Sequence, residues 1–101
     1  MILLYITAPS FSEAKKISNA LLEKHLIACA NIVQSTSFYV WKGKKVSEKE
    51  FIIYAKTSKK LAKKAEKLVK KLHSYECPCI IQIPVSANKE YSAWIESQTK
   101  P

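Results

Sequence analysis

Arginine and aspartate are absent from this chain, and glycine occurs once, at Gly43. Each absence excludes some chemistry. A phosphate-cradling loop needs several glycines close together, so nucleotide sites of the glycine-rich kind are ruled out. All 17 basic residues are lysine, which removes the bidentate fork that reads guanine or clamps phosphate. Any acid partner, in a triad or around magnesium, falls to the eight glutamates. No apolar run approaches the ~18 residues of a membrane span. The opening Met1-Ile2-Leu3-Leu4-Tyr5-Ile6 is short, has no basic residue ahead of it, and reads as a buried strand rather than a leader. Three cysteines cannot all pair within one chain. Without a secretion signal they indicate a reduced, cytoplasmic protein.

What is present points first to assembly. The 101 residues fit one domain, 1–101. Ile27 to Thr57 reads as one long hairpin reversing at Trp41-Lys42-Gly43-Lys44, where the only glycine supplies positive φ. The arm before the turn lacks proline and glycine and is rich in β-branched and aromatic residues. Fully extended, that arm spans roughly 50 Å. A compact domain of this size is only about 35 Å across. The hairpin is therefore expected to project, and its open edges and aromatics to need another chain.

The net charge is +9. Eight of the lysines lie between Lys56 and Lys71. The plain reading is a solvated helix face. Lysine without arginine or interleaved aromatics attracts polyanions weakly and reads no bases, so no specific nucleic-acid partner is expected.

Ile2 to Thr7 reads as a strand covered on both faces. Ser10 and Glu13 form a capping box for a helix with Ala14, Ile17, Leu21, Leu22 and Leu26 inward and Glu13, Lys15, Lys16, Glu23 and Lys24 toward water. His25 sits at that helix's end as a cap. Phe51-Ile52-Ile53-Tyr54-Ala55 reads as a central strand. Ser58 is placed to cap a second helix carrying Leu61, Ala65, Leu68, Val69 and Leu72. A strand follows from Cys79 to Val85, with Pro84 marking an edge. Asn88 caps a final helix bearing Tyr91, Trp94 and Ile95. The order is βαββαβ plus a terminal helix, an α+β, ferredoxin-like plan with the first and third strands central.

Cys77-Pro78-Cys79 is the sharpest local motif. Two thiols one extended residue apart either capture a soft metal or pack as a loop cysteine and a strand cysteine. Cys29, between small apolar residues, is likewise either a packed thiol or a ligand. His73 and Glu76 flank Tyr75, so the loop before the last strand has metal-ligating and proton-moving groups as well as a helix-ending histidine. Tyr39, Trp41, Tyr54, Tyr75 and Trp94 suit an interface or the wall of a small-ligand cleft.

Ala28-Cys29-Ala30-Asn31, Phe38-Tyr39-Val40-Trp41-Lys42-Gly43-Lys44, Lys56-Thr57, His73-Ser74-Tyr75-Glu76-Cys77-Pro78 and Tyr91-Ser92-Ala93-Trp94 together resemble the CutA1 (divalent-cation tolerance) family. The match runs over nearly the whole chain in order and spacing. The resemblance implies a ferredoxin-like fold similar to the PII signalling proteins, assembled as a cytoplasmic homotrimer. It also implies a link to tolerance of copper or another divalent cation, with no established catalysis. By similarity, Cys29, Tyr39, Trp41, Lys56, His73, Tyr75, Glu76 and Trp94 gather around a cleft between subunits. Ser74 stands where members usually have proline, and Cys79 where glutamate or alanine is common. Where some members carry a cysteine in the first strand and a second histidine, this chain has Ile6 and Leu72, so His73 alone of that copper set is kept.

The expected function is a trimeric metal-binding or regulatory module holding copper or another divalent cation through Cys29, His73, Cys77 and Cys79 in some combination. The alternative is a PII-like sensor of a small anionic metabolite in the intersubunit cleft, with Lys56 as charge partner. An enzyme would rest on His73 and Glu76 as acid and base, with no nucleophile or oxyanion device in view.

Overall fold

A computed structural model of the chain describes residues 1–100. The elements are β1 (Ile2–Ala8), α1 (Phe11–Glu23), β2 (Cys29–Trp41), β3 (Lys44–Thr57), α2 (Ala62–Leu72), β4 (Ile80–Pro84) and α3 (Lys89–Gln98). The sheet order is β2-β3-β1-β4, every pair antiparallel. This is the expected βαββαβ plan, with β1 and β3 central and Pro84 at the end of an edge strand.

Alternation along the strands builds the core. Leu4 and Ile6 on β1 and Ile53 and Ala55 on β3 are fully buried. Ala14, Ile17 and Leu21 of α1 and Ala65 and Val69 of α2 close over them. Burying these side chains is worth about 2 kcal/mol each for the larger ones. Both helices lie on that one face. β1 is thus not covered on both sides as its apolar run suggested: Leu3 and Tyr5 on its other face are half-exposed. An antiparallel sheet tolerates one open face, and here that face carries most of the candidate site residues.

Helix ends follow local chemistry with three departures from expectation. Ser10 Oγ accepts from the Glu13 N–H at 3.1 Å, half of the capping box. Glu13 does not reach back to close it; its carboxylate accepts from the Ser74 N–H at 3.1 Å. Ser58 does not cap α2. Its carbonyl accepts from the Leu61 N–H at 3.2 Å, its hydroxyl is buried without a partner, and the helix begins a turn later. Asn88 stands at the N-cap of α3 but its side chain makes no capping bond. Leu22, expected inside, is 40% exposed. His25 does terminate α1, through its backbone. It takes φ 56°, its N–H reaches the Leu22 carbonyl and the Leu26 N–H reaches Leu21, each at 3.0 Å. That is a Schellman ending with histidine where glycine is usual.

The hairpin projects as expected. The molecule measures 45 × 25 × 20 Å. Phe38 is 77% and Val40 65% exposed toward the tip. Trp41 pairs with Lys44, and Lys42 and Gly43 take φ 51° and 79°. Positive φ at both central residues matches the twist of the arms in a two-residue turn. An added Cβ at Gly43 meets nothing within 4 Å, so only backbone strain opposes it. Gly43→Ala is expected to cost about 1 kcal/mol in urea unfolding. An unchanged midpoint would show the turn relaxing to another type.

Candidate functional site

Strand register sorts the side chains by face. Opposed residues in an antiparallel pair share a face, as do alternate residues along one strand. Cys29, Asn31, Tyr39 and Trp41 on β2 therefore lie with Glu48, Glu50, Tyr54 and Lys56 on β3 and with Tyr5 and Thr7 on β1. This is the face away from α1 and α2. Polar groups collect at its two ends, separated by the edge-to-face pair Tyr5–Tyr54 at 5.6 Å. From Glu50 to Lys56 along β3 is about 20 Å.

At the hairpin end a cleft of about 560 Å³ is lined by Thr7, Tyr39, Trp41, Glu48, Glu50, Ser74, Tyr75, Glu76, Cys77 and Cys79. The loop joining α2 to β4 forms its far wall, and His73 anchors that loop. The His73 side chain is fully buried. Nε2 donates to the Thr7 carbonyl at 2.6 Å, and Nδ1 accepts from the Tyr75 N–H at 3.0 Å. So held, Tyr75 donates its hydroxyl to Glu50 Oε2 at 2.6 Å. The Tyr39 hydroxyl donates likewise to Glu48 Oε1. At the mouth, Lys42 Nζ lies 3.6 Å from Glu76 Oε2. The Cys79 carbonyl accepts from the Thr7 N–H at 3.4 Å just ahead of β4, which begins at Ile80 rather than at Cys79.

At the other end Lys56 Nζ donates to Asn31 Oδ1 and lies 3.7 Å from Cys29 Sγ. Tyr91 stands beside Cys29, its ring centroid 5.7 Å from that of Trp94, a residue 42% exposed.

Within one protomer, the groups expected around a cleft between subunits thus divide. Tyr39, Trp41, Tyr75 and Glu76 share the cleft, while Lys56 and Trp94 stand at the opposite end of the same face. Cys77 and Cys79 line the cleft; Cys29 lies with Lys56. His73 is behind the loop with both ring nitrogens engaged, so ligating a metal there means breaking one of those bonds. Among the described residues no three His, Cys, Asp or Glu side chains are grouped to hold a metal ion. His73 and Glu76 do not pair as acid and base: the histidine meets Glu13, 3.4 Å from Nδ1, and Glu76 meets Lys42. Sequence reading missed Glu48, Glu50 and Thr7. A signal existed in the acid-x-acid alternation of Glu48-Lys49-Glu50 beside Tyr39-Val40-Trp41, which puts both pairs on one strand face.

The carboxylates dominate the electrostatics. The hydrogen bond to Glu48 pushes the Tyr39 phenol up to about 12. Burial, then the bond to Glu50, raises the Tyr75 phenol. Burial also pushes the Cys79 thiol up, so a soft cation binding there must displace its proton. In a chain of net charge +9, three glutamates line this cleft and no lysine does. Such a site attracts cations and repels anions.

The chain matches the family model of the CutA1 divalent ion tolerance protein over residues 2–98. The divalent-cation tolerance protein CutA of Archaeoglobus fulgidus is 44% identical over 94 residues, 92% of each chain. A solved structure of the periplasmic divalent cation tolerance protein CutA from that organism superposes with a TM-score of 0.95 at 41% identity, covering 99% of this chain and 100% of that one. CutA1 from Pyrococcus horikoshii gives 0.96 at 37% identity, with all of both chains covered. The PII-like protein CutA from Nostoc gives 0.93 at 28% identity, covering 99% and 98%. No helix is long and apolar enough to cross a membrane among the described residues.

Proposed function

The chain belongs to the CutA1 divalent ion tolerance family, and from that premise we propose that it is a homotrimeric, cytoplasmic module that binds copper or another soft divalent cation in the open-face cleft and performs no chemistry on it. The observation that carries this reading is the lining of the cleft: two thiols and three carboxylates without a lysine. Thiolates select soft ions, and the glutamates concentrate cations around them. Cys77 and Cys79 are the ligands contributed by one protomer. Further donors come from a neighbouring copy, and the Cys29 end of the open face is the candidate. A ring in which one end of each protomer's open face meets the other end of the next joins the two half-sites and closes without leaving an edge. The projecting hairpin and the exposed Ile81 and Ile83 of edge strand β4 supply surface for that contact.

A PII-like sensor of an anionic metabolite has less support, since the lining of the cleft is acidic.

The test is anaerobic copper competition against a chelator, on protein whose scattering mass is checked at three times 11.5 kDa. Cys77→Ser/Cys79→Ser is expected to lose at least about tenfold in copper affinity. Wild-type affinity in that variant removes these ligands, and a stable monomer removes the shared site.

A further inference from the structure

Charge is unevenly divided between the α1–α2 layer and the rest of the chain. These two helices and their flanking turns, residues 9–26 and 58–72, hold ten lysines and three glutamates, while the remainder holds seven and five. Seven of the nine net positive charges therefore lie in the helix layer. All ten of its lysines are exposed. Two of its three acids are already engaged. Glu13 accepts from the Ser74 N–H, and Glu66 accepts from Gln82 Nε2 at 3.0 Å and pairs with Lys70 at 3.2 Å.

A face that needs only solvation is served by interspersed charges of both signs. Helix α2 departs from that at a cost to itself. Lys67 has Lys63 and Lys64 one turn before it and Lys70 and Lys71 one turn after, and like charges at these spacings oppose a helix. Lys63 and Lys64 stand in the first turn, where the helix dipole favours acids and none is present. Five lysines thus crowd into about 12 Å of helix rise. Charge held against local stability marks a face that serves a partner.

The partner is a polyanion, and geometry selects its kind. The ring described above is built from open faces and sheet edges, so its three helix layers turn outward in three directions. A flat anionic membrane meets one layer at a time. A nucleic-acid duplex, stiff over roughly 500 Å, does the same to protomers 45 Å long. A flexible chain passes over all three layers and gains avidity from each. Single-stranded nucleic acid draws much of its affinity from bases stacked on aromatics. Phe11 is the one aromatic in α1 and α2, and its ring packs edge to face on Phe51. Lysine ammoniums without arginine forks bind phosphates as point charges.

We propose that the outward lysine face of α1 and α2 docks a flexible linear chain of phosphates, inorganic polyphosphate, wound over the helix layers of the trimer. This face lies across the sheet from the metal cleft, so the inference rests on the preceding reading only for the ring.

The probe is long-chain polyphosphate, titrated in excess chelator into protein whose scattering mass has been checked. Saturable binding is expected, its log affinity falling linearly with log salt. Lys60→Gln/Lys64→Gln/Lys67→Gln/Lys71→Gln should weaken it by about tenfold or more and flatten that slope. The substitutions relieve like-charge pairs, so this variant is expected to fold as well as wild type. Lys44→Gln/Lys45→Gln/Lys89→Gln/Lys100→Gln removes the same charge outside the layer and should weaken binding by about twofold at most. Absence of saturable binding, or equal losses in the two variants, overturns the proposal. So does tighter binding of single-stranded DNA, duplex DNA or phosphatidylserine vesicles at equal charge. Copper affinity, measured on the helix variant without polyphosphate, is expected to match wild type. Copper binding without polyphosphate binding sinks this inference alone, and the reverse sinks the metal reading alone. A stable monomer sinks the ring and the winding with it.

Discussion

His73→Ala is expected to lower the unfolding free energy by roughly 3 kcal/mol, the largest loss among the substitutions considered. The ring is fully buried and bonds to the main chain at both nitrogens, joining the end of β1 at Thr7 to Tyr75 of the loop after α2. Alanine leaves the Thr7 carbonyl and the Tyr75 N–H without partners and opens a void. Each orphaned buried group costs about 1–3 kcal/mol, and the void adds to it. Denaturant unfolding measures the total. Lys63→Ala on the exposed face of α2 serves as a control expected to stay within about 0.5 kcal/mol. A His73→Ala midpoint as high as that control would mean that the histidine anchors nothing. Copper binding should weaken too, because the loop carrying Cys77 and Cys79 loses its anchor. That weakening does not by itself make His73 a ligand; the unfolding measurement separates the two roles.

The second large effect concerns Tyr75 and Glu50. Tyr75→Phe removes the donor at 2.6 Å from a carboxylate that is 5% exposed. Hydrogen bonds to charged groups contribute about 1.5–3 kcal/mol, so a loss of about 2 kcal/mol at neutral pH is expected. The same bond predicts behaviour in alkali. The phenols of Tyr75 and Tyr39 are both raised from the ordinary 10.0 in the folded state. Above pH 10 the unfolded chain therefore releases protons that the native state still holds. The stabilisation from these protons is complete below about pH 10 and is lost as pH rises toward the folded values. Melting temperatures measured across that range should fall more steeply for wild type than for Tyr75→Phe, and least steeply for Tyr39→Phe/Tyr75→Phe. Parallel curves would show that the phenols do not sense the glutamates. Comparing variants removes the background common to all of them.

Much of the fold was legible because it is written in local patterns. The β-branched and aromatic run from Ile27 to Trp41, with one glycine beyond it, specified a long hairpin. The apolar spacing of Ala14, Ile17 and Leu21 specified the inner face of α1. Two errors share a cause. Ser58 and Glu13 have the residue types of caps, yet tertiary contacts took them elsewhere: Glu13 to the Ser74 N–H, Ser58 into a buried turn. Leu22 was misplaced because helical spacing alone does not say how wide the buried stripe is.

The site was legible in part. Tyr39, Trp41, Tyr75, Glu76, Cys77 and Cys79 were recognised from their motifs and do meet in one cleft. Lys56, Trp94 and Cys29 were assigned to a cleft between subunits; within one protomer they stand at the other end of the sheet. Motif order along a chain has no information about which end of a shared face a residue reaches. By itself the sequence determined the elements, their order, the projecting hairpin and the lack of any glycine-rich or arginine-dependent chemistry, since these depend on residue type and local spacing. Only the tertiary structure decided that Glu48 and Glu50 share a cleft with Tyr39 and Trp41, that His73 is an anchor within the chain, and that the cleft is acidic in a basic protein. Those facts depend on strand register and on where a loop is tied down, and both are set by contacts between residues far apart in the chain.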